Sequence, residues 1–200
     1  MYKIFLHYKY TLIFNYLFRI LMVRSLRYEE LRIMFCNILK YIGENISDFI
    51  QKVIDLEIYF RLYRKRISFS KKKLINNSNC FTLKKIASVG VFMGKFFIGK
   101  RFLFFISFIN VIKGFDTYKY GVVSSHGEKH FTKGNNLKRS HFIKISNNFV
   151  KGDGIFIKDN SNNILGFGLT TKDYYIVKSN HPNLLLINFS DVGIYIRIKY

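Results

Sequence analysis

The chain has 200 residues, enough for one sizeable core or two small ones. Its 33 Lys and Arg against 12 Asp and Glu leave a formal charge of +21, which calls for a polyanionic partner: RNA, DNA or anionic lipid. Lys, Ile, Asn, Phe and Tyr are also the residues that an AT-biased genome supplies, so the location of the charge carries more than its sum. The two cysteines, Cys36 and Cys80, are far apart and outside any CxxC pattern, which excludes a disulfide framework and suits a reduced compartment.

Residues 1–21 are aromatic and apolar but broken by His7, Lys9, Asn15 and Arg19. They lack the clean apolar run of about 18 to 20 residues that a transmembrane helix needs, and they lack the apolar centre and small-residue cleavage site of a secretory signal. From Ser25, a candidate N-cap, the residues Leu31, Met34, Phe35, Ile38, Leu39 and Ile42 recur at three- and four-residue spacing. This predicts an amphipathic helix with Glu29 and Glu30 in its first turns, Cys36 packed on its apolar face, and Gly43 at its end. Residues 56–69, LEIYFRLYRKRISF, predict a β-hairpin around the basic turn Tyr63-Arg64-Lys65-Arg66. A short basic helix after Ser70 follows, then strands over 86–93 and 102–108 with Gly94, Lys95, Gly99, Lys100 and Arg101 as a basic connection. Beyond Lys113-Gly114 the texture becomes mostly β, which predicts a domain boundary near Asp116.

In the second half, Lys151-Gly152-Asp153-Gly154 before IFIKD and Asn160-Ser161-Asn162-Asn163 before ILGFG read as strand, turn, strand. A dinucleotide-binding fingerprint would need a strand-to-helix turn and a third glycine, so the G-F-G is expected on a strand. His126-Gly127-Glu128-Lys129-His130 differs from a zincin helix by the glycine after its first histidine and by its displaced glutamate. It is expected to be a solvated loop with no metal. No catalytic constellation is visible among the scattered carboxylates. Lys133, Lys138, Arg139 and Lys144 precede the hairpin, and Lys172 and Lys178 follow the G-F-G, with Phe142, Tyr174 and Tyr175 interleaved. Cations that neutralise phosphate beside rings that stack on bases are the footprint of an RNA-binding surface.

The segments LRIMFCNILKYIGENI, YFRLYRKRISFS, IASVGVFMGKF, ILGFGLTTK and NFSDVGIYIR, in this order, resemble the nuclear import protein seven family of ribosome assembly factors, whose C-terminal half is a PUA domain. The resemblance runs from about Met22 to Tyr200. It implies an α+β protein: residues 1–21 as an extension outside the fold, 22–116 as an N-terminal antiparallel sheet with flanking helices, and 117–200 as a mostly β PUA pseudo-barrel. It further implies a nucleolar, non-enzymatic factor without cofactor or membrane anchor. Such a factor would be a monomer within precursors of the large ribosomal subunit, contacting pre-rRNA through the PUA half and other assembly factors through the N-terminal half. Lys172 and Lys178 match basic positions after the G-F-G that contact RNA in archaeal relatives. The chain departs from the family at Ser124-Ser125-His126-Gly127, where a Pro-Gly turn is usual, and at Ser140-His141-Phe142-Ile143, where a glycine-rich stretch is expected. The alternative is a PUA module of an RNA-modifying enzyme such as a pseudouridine synthase or transglycosylase, for which 116 residues before the boundary are few.

Overall fold

The computed structural model describes residues 26–63, 65–78, 89–97, 101–115, 118–178 and 184–197. Residues 1–21, the Ser25 cap, Cys80, the first part of the strand expected over 86–93, Lys100, the boundary at Asp116 and the side chain of Lys178 lie outside them. The chain forms two compact units. One comprises the residues up to Phe35 together with Ile50–Phe102, and the other comprises Cys36–Phe49 with the residues from Leu103 onward.

Helix α1, Tyr28–Ile42, buries Leu31, Met34, Phe35, Ile38 and Ile42, the stripe that three- and four-residue spacing predicts. Glu30 accepts a hydrogen bond from the Arg27 backbone N–H at 2.8 Å, and a 3-10 turn at Gly43–Asn45 ends the helix with Gly43 at φ +55°. Two expectations on this helix are corrected. Cys36 is exposed, because it lies four residues from both Arg32 and Lys40 and so belongs to the polar stripe. Leu39 is also largely exposed. Helix α2, Ile46–Asp55, repeats the pattern with Ile46, Phe49, Ile50 and Val53 buried.

The sheet of the first unit runs β1-β2-β3-β4: Ile58–Tyr63, Arg66–Lys71, Val91–Phe96 and Phe102–Phe104. The expected hairpin is present, with Tyr63 opposite Arg66 and Lys65 in the left-handed region at φ +69°. The short basic helix follows as α3, Lys72–Ser78. The strand expected to reach Phe108 stops at Phe104. Ile106–Phe108 is a 3-10 turn and Ile109–Ile112 a helical turn, α4. The Phe104 and Phe108 rings stack with centroids 3.8 Å apart, whereas four extended residues would separate them by about 13 Å. Coiling of the intervening chain is therefore what lets both rings enter the core.

The second unit is a six-stranded sheet in the order β6-β10-β9-β8-β5-β7. Its members are β5 Tyr120–Val123, β6 Leu137–Lys138, β7 Phe142–Ile145, β8 Gly154–Lys158, β9 Ile164–Thr170 and β10 Leu184–Asp191. Only β5 and β8 pair in parallel among the described ladders. The edge strands β6 and β7 are joined by the 3-10 turn Arg139–His141, so the sheet curls into a nearly closed barrel. Helices α5 (Ser125–Thr132), α6 (Tyr174–Lys178) and α7 (Ile194–Arg197) accompany the sheet.

The G-F-G lies within β9, as expected. A β-carbon at Gly168 would come within 2.2 Å of the Ile187 carbonyl oxygen, and one at Gly166 within 2.3 Å of that of Ser190. Glycine therefore serves the close approach of β10, which bulges between Asn188 and Ser190. Phe167 between them is fully buried and meets the Tyr41 ring edge-on at 5.4 Å.

Candidate nucleic-acid interface

The basic residues of the second unit are assembled by strand register. Lys138 on β6 is opposite Leu184 on β10. The Thr171 hydroxyl donates to the Leu184 carbonyl at 2.5 Å, and the Thr171 N–H donates to that of Leu185 at 2.9 Å. Lys138 and Leu184 thus pair across β6 and β10, and the bend at Thr171-Lys172 is fastened to the same end of β10. Lys138 is exposed and Lys172 half-buried. Lys172 stands in the bend after β9, and α6 begins two residues later. Tyr175 on α6 is 86% exposed, an open ring close in sequence to Lys172, while Tyr174 packs against Phe149 with centroids 5.7 Å apart. Lys178 closes α6.

The other residues named from sequence divide in their roles. Arg139 follows Lys138, but its guanidinium donates to the Phe142 carbonyl at 3.1 Å and so braces the turn between β6 and β7. Lys133 is exposed at the end of α5. Lys144 on β7 is exposed, with its ammonium 5.7 Å from the Tyr120 ring centroid. Lys158 approaches the same ring at 5.4 Å. Phe142 is corrected: its ring is 7% exposed, belongs to the hydrophobic core and fills the space beside Gly121, where a β-carbon would come within 2.6 Å of it. It is a core residue and offers no face to a base.

The segment 126–130 is not a loop. Ser124 caps α5 by accepting the Gly127 N–H at 3.2 Å, which places His126 and His130 one helical turn apart. Gly127 lets the helix lie against the 3-10 turn, since a β-carbon there would meet the His141 carbonyl oxygen at 2.6 Å. The three rings gather, with centroids 6.3 Å apart for His126–His130, 5.5 Å for His126–His141 and 4.8 Å for His130–His141. His141 Nδ1 accepts the Lys138 N–H at 3.3 Å, so the neutral ring carries its proton on Nε2. Among the described residues no group of three or more His, Cys, Asp or Glu side chains is arranged to hold a metal ion. Burial lowers the His141 pKa, with the charges of His130, His126 and Lys138 acting in the same direction. The histidines therefore join the basic end as a polar cluster fastened to Lys138, a feature visible only once α5 and the turn are folded together.

Opposite in sense is the anchor at the C-terminal end of β10. Asp191, 2% exposed, receives two hydrogen bonds of 2.8 Å from Arg197 on α7 and one of 3.0 Å from Asn188. Arg197 also donates to the Thr132 carbonyl, which ties α7 to the end of α5. The hydrogen bond to Asp191 raises the Arg197 pKa.

A nearly closed barrel with short helices and a cationic end, preceded by an α+β unit, defines a two-part protein with a C-terminal PUA domain. Residues 23–106 match the NIP7/UPF0113 pre-PUA domain and residues 119–199 the UPF0113 PUA domain. The chain belongs to the NIP7/UPF0113 family. It is 27% identical over 176 residues to the 60S ribosome subunit biogenesis protein nip7 of Schizosaccharomyces pombe, and 28% identical over 176 residues to the NIP7 homolog of Danio rerio. Each alignment covers 88% of this chain and 97% of the relative. Among solved structures, a hypothetical protein of the archaeon Pyrococcus horikoshii OT3 aligns over 82% of this chain and 89% of its own, at 10% identity and a TM-score of 0.52. That likeness is one of fold.

Proposed function

We propose that this protein is a non-enzymatic RNA-binding factor in the assembly of the large ribosomal subunit, acting in the nucleolus on pre-rRNA. The reading is carried by the alignment along both halves of the chain to relatives named as 60S ribosome subunit biogenesis proteins. The PUA domain, residues 117–200, supplies the RNA contact, and residues 22–116 meet other assembly factors. Lys138 and Lys172 hold phosphates beside the start of β10, Tyr175 offers a stacking face, and Lys133, Lys144 and Lys178 extend the field that draws RNA in. Arg139 acts beside them by bracing the turn that presents Lys138. The protein works as a monomer within pre-ribosomal particles, without a cofactor. Neither unit is an RNA-modifying centre, a reading supported by relatives whose names describe assembly.

Filter binding of U-rich RNA to the full chain tests the site. Lys138→Ala/Lys172→Ala should weaken binding about tenfold and reduce the steepness of its salt dependence. Unchanged affinity and salt dependence would place the RNA surface elsewhere. Depletion in cells, with the large-subunit precursors then resolved on a gradient, tests the assembly role. Normal pre-60S particles and rRNA processing would refute it.

A further inference from the structure

The four-stranded sheet of the first unit buries one face with Phe60, Leu62, Ile67 and Met93. Residues directly opposite each other in antiparallel strands share a face. The register puts Tyr63, Arg66 and Lys95 in one row, and Arg61, Ser68 and Phe92 in the next. That is the face turned away from the buried set, half-buried at Arg61, Ser68 and Phe92 and most exposed at its turn end. The Arg66 guanidinium lies 5.7 Å from the Phe92 ring centroid, and the Lys95 ammonium lies 5.4 Å from that of Phe97. The Phe96 N–H donates to the Lys65 carbonyl at 2.7 Å and the Phe97 N–H to the Arg101 carbonyl at 2.8 Å, which brings Lys65 and Arg101 to the same end. Tyr63, Lys65, Arg66, Phe97 and Arg101 are all exposed.

No acidic residue opposes this charge along the strands. From Ile58 through Phe115 the sequence contains neither Asp nor Glu. The acid just before them, Glu57, pairs with Lys72 at 3.6 Å near the other end of the hairpin, where Ile58 is opposite Lys71. An anionic lipid surface needs charge alone. Here cations stand beside rings at the end of the strands, which matches the alternation of phosphate and base in a single strand. Two of the rings, Tyr63 at 42% and Phe97 at 47% exposure, have area to spare for a ligand.

We propose that this exposed, basic turn end of the N-terminal sheet is a second RNA-contact site, which takes single-stranded RNA independently of the PUA domain. Arg66, Lys95, Lys65 and Arg101 hold phosphates, and Phe97 and Tyr63 receive bases. The basic hairpin turn is thereby a ligand-binding feature, one that a family role limited to protein partners would not need.

The test is fluorescence anisotropy of a labelled 20-nucleotide U-rich RNA with the full chain over a potassium chloride series. Arg66→Ala/Lys95→Ala should weaken binding about tenfold and lower the slope of log affinity against log salt by about 1.4, the share of two phosphates on a single strand. Phe97→Ala should weaken binding severalfold while Phe97→Tyr, which keeps the ring, should not. Wild-type affinity and slope in the Arg66→Ala/Lys95→Ala protein would overturn the proposal. So would loss of binding to phosphatidylserine vesicles with RNA binding intact. Crosslinking to 4-thiouridine RNA gives a readout that does not depend on variants: adducts on Tyr63 or Phe97 are expected, and adducts confined to residues 119–197 would refute the site. Sensitivity to Lys138→Ala/Lys172→Ala alone removes this site and leaves the PUA reading standing, and the converse result removes the PUA reading alone.

Discussion

His141 shows how one side chain ties charge to architecture. Its ring accepts the Lys138 N–H, its carbonyl accepts the Ser124 N–H at 2.9 Å, and only 8% of its surface is exposed. A proton on Nδ1 would turn that acceptor into a donor facing the Lys138 N–H. Burial, reinforced by His130, His126 and Lys138, holds its pKa below the ordinary histidine value, so the unfolded chain binds this proton more readily than the folded one. The contribution of His141 to stability is therefore fully present above about pH 6.5 and is lost as pH falls below it. Urea midpoints measured from pH 8 to pH 5.5 should decline, and His141→Gln should flatten that decline. A decline of the same size in the variant would assign it to other groups. At the neighbouring cap, Ser124→Ala removes the acceptor of the Gly127 N–H and should cost about 1 kcal/mol in chemical denaturation.

At the scale of elements, the β9–β10 ladder depends on the absence of two β-carbons. Gly168→Ala would set a methyl against the Ile187 carbonyl oxygen and beside the Leu186 side chain, and backbone must shift to make room. The expected cost is about 1–3 kcal/mol, read from urea denaturation, with weaker RNA binding because β10 links Lys138 to Lys172. Gly152→Ala is the control: nothing lies within 4 Å of a β-carbon there, so its effect is confined to the strain of a residue at φ +88°. These elements also show what local pattern could and could not convey. Helix α1, the hairpin and the strand nature of ILGFG were legible because period and turn residues specify them locally. Cys36 was misread because a stripe estimated by spacing alone was drawn too wide. The segment 126–130 was misread because glycine lowers helix propensity, while its reason for being there, the His141 carbonyl, lies fourteen residues away. Phe142 was misread because an aromatic among lysines looks the same whether it faces a base or Gly121. That Lys138 and the bend at Thr171-Lys172 both attach to the start of β10 was not legible at all, since it arises from pairing across distant segments.

For the whole molecule, the charge of +21 acts on stability and on binding with opposite signs. Like charges crowded on a folded chain repel one another, and the repulsion falls as salt shortens the Debye length from about 30 Å at 0.01 M to about 8 Å at physiological ionic strength. Two of the ion pairs, Arg32–Glu29 and Lys72–Glu57, are exposed, so their loss to screening counts for little against that relief. Raising potassium chloride from 20 to 200 mM should therefore raise the melting temperature of the free protein. Over the same range RNA affinity should fall steeply, because each phosphate neutralised by a lysine or arginine releases counterions whose entropy the added salt diminishes. Saturating U-rich RNA at low salt should raise the melting temperature on its own, since a ligand that prefers the folded state stabilises it, and this increment should shrink as salt is added. Scanning fluorimetry with and without RNA measures both trends in one experiment. A melting temperature that falls with salt in the free protein would mean that attractive pairs, not net repulsion, dominate its electrostatics. An RNA-induced increment that persists at 200 mM would mean that stacking on Tyr175, Tyr63 and Phe97 outweighs the phosphate contacts.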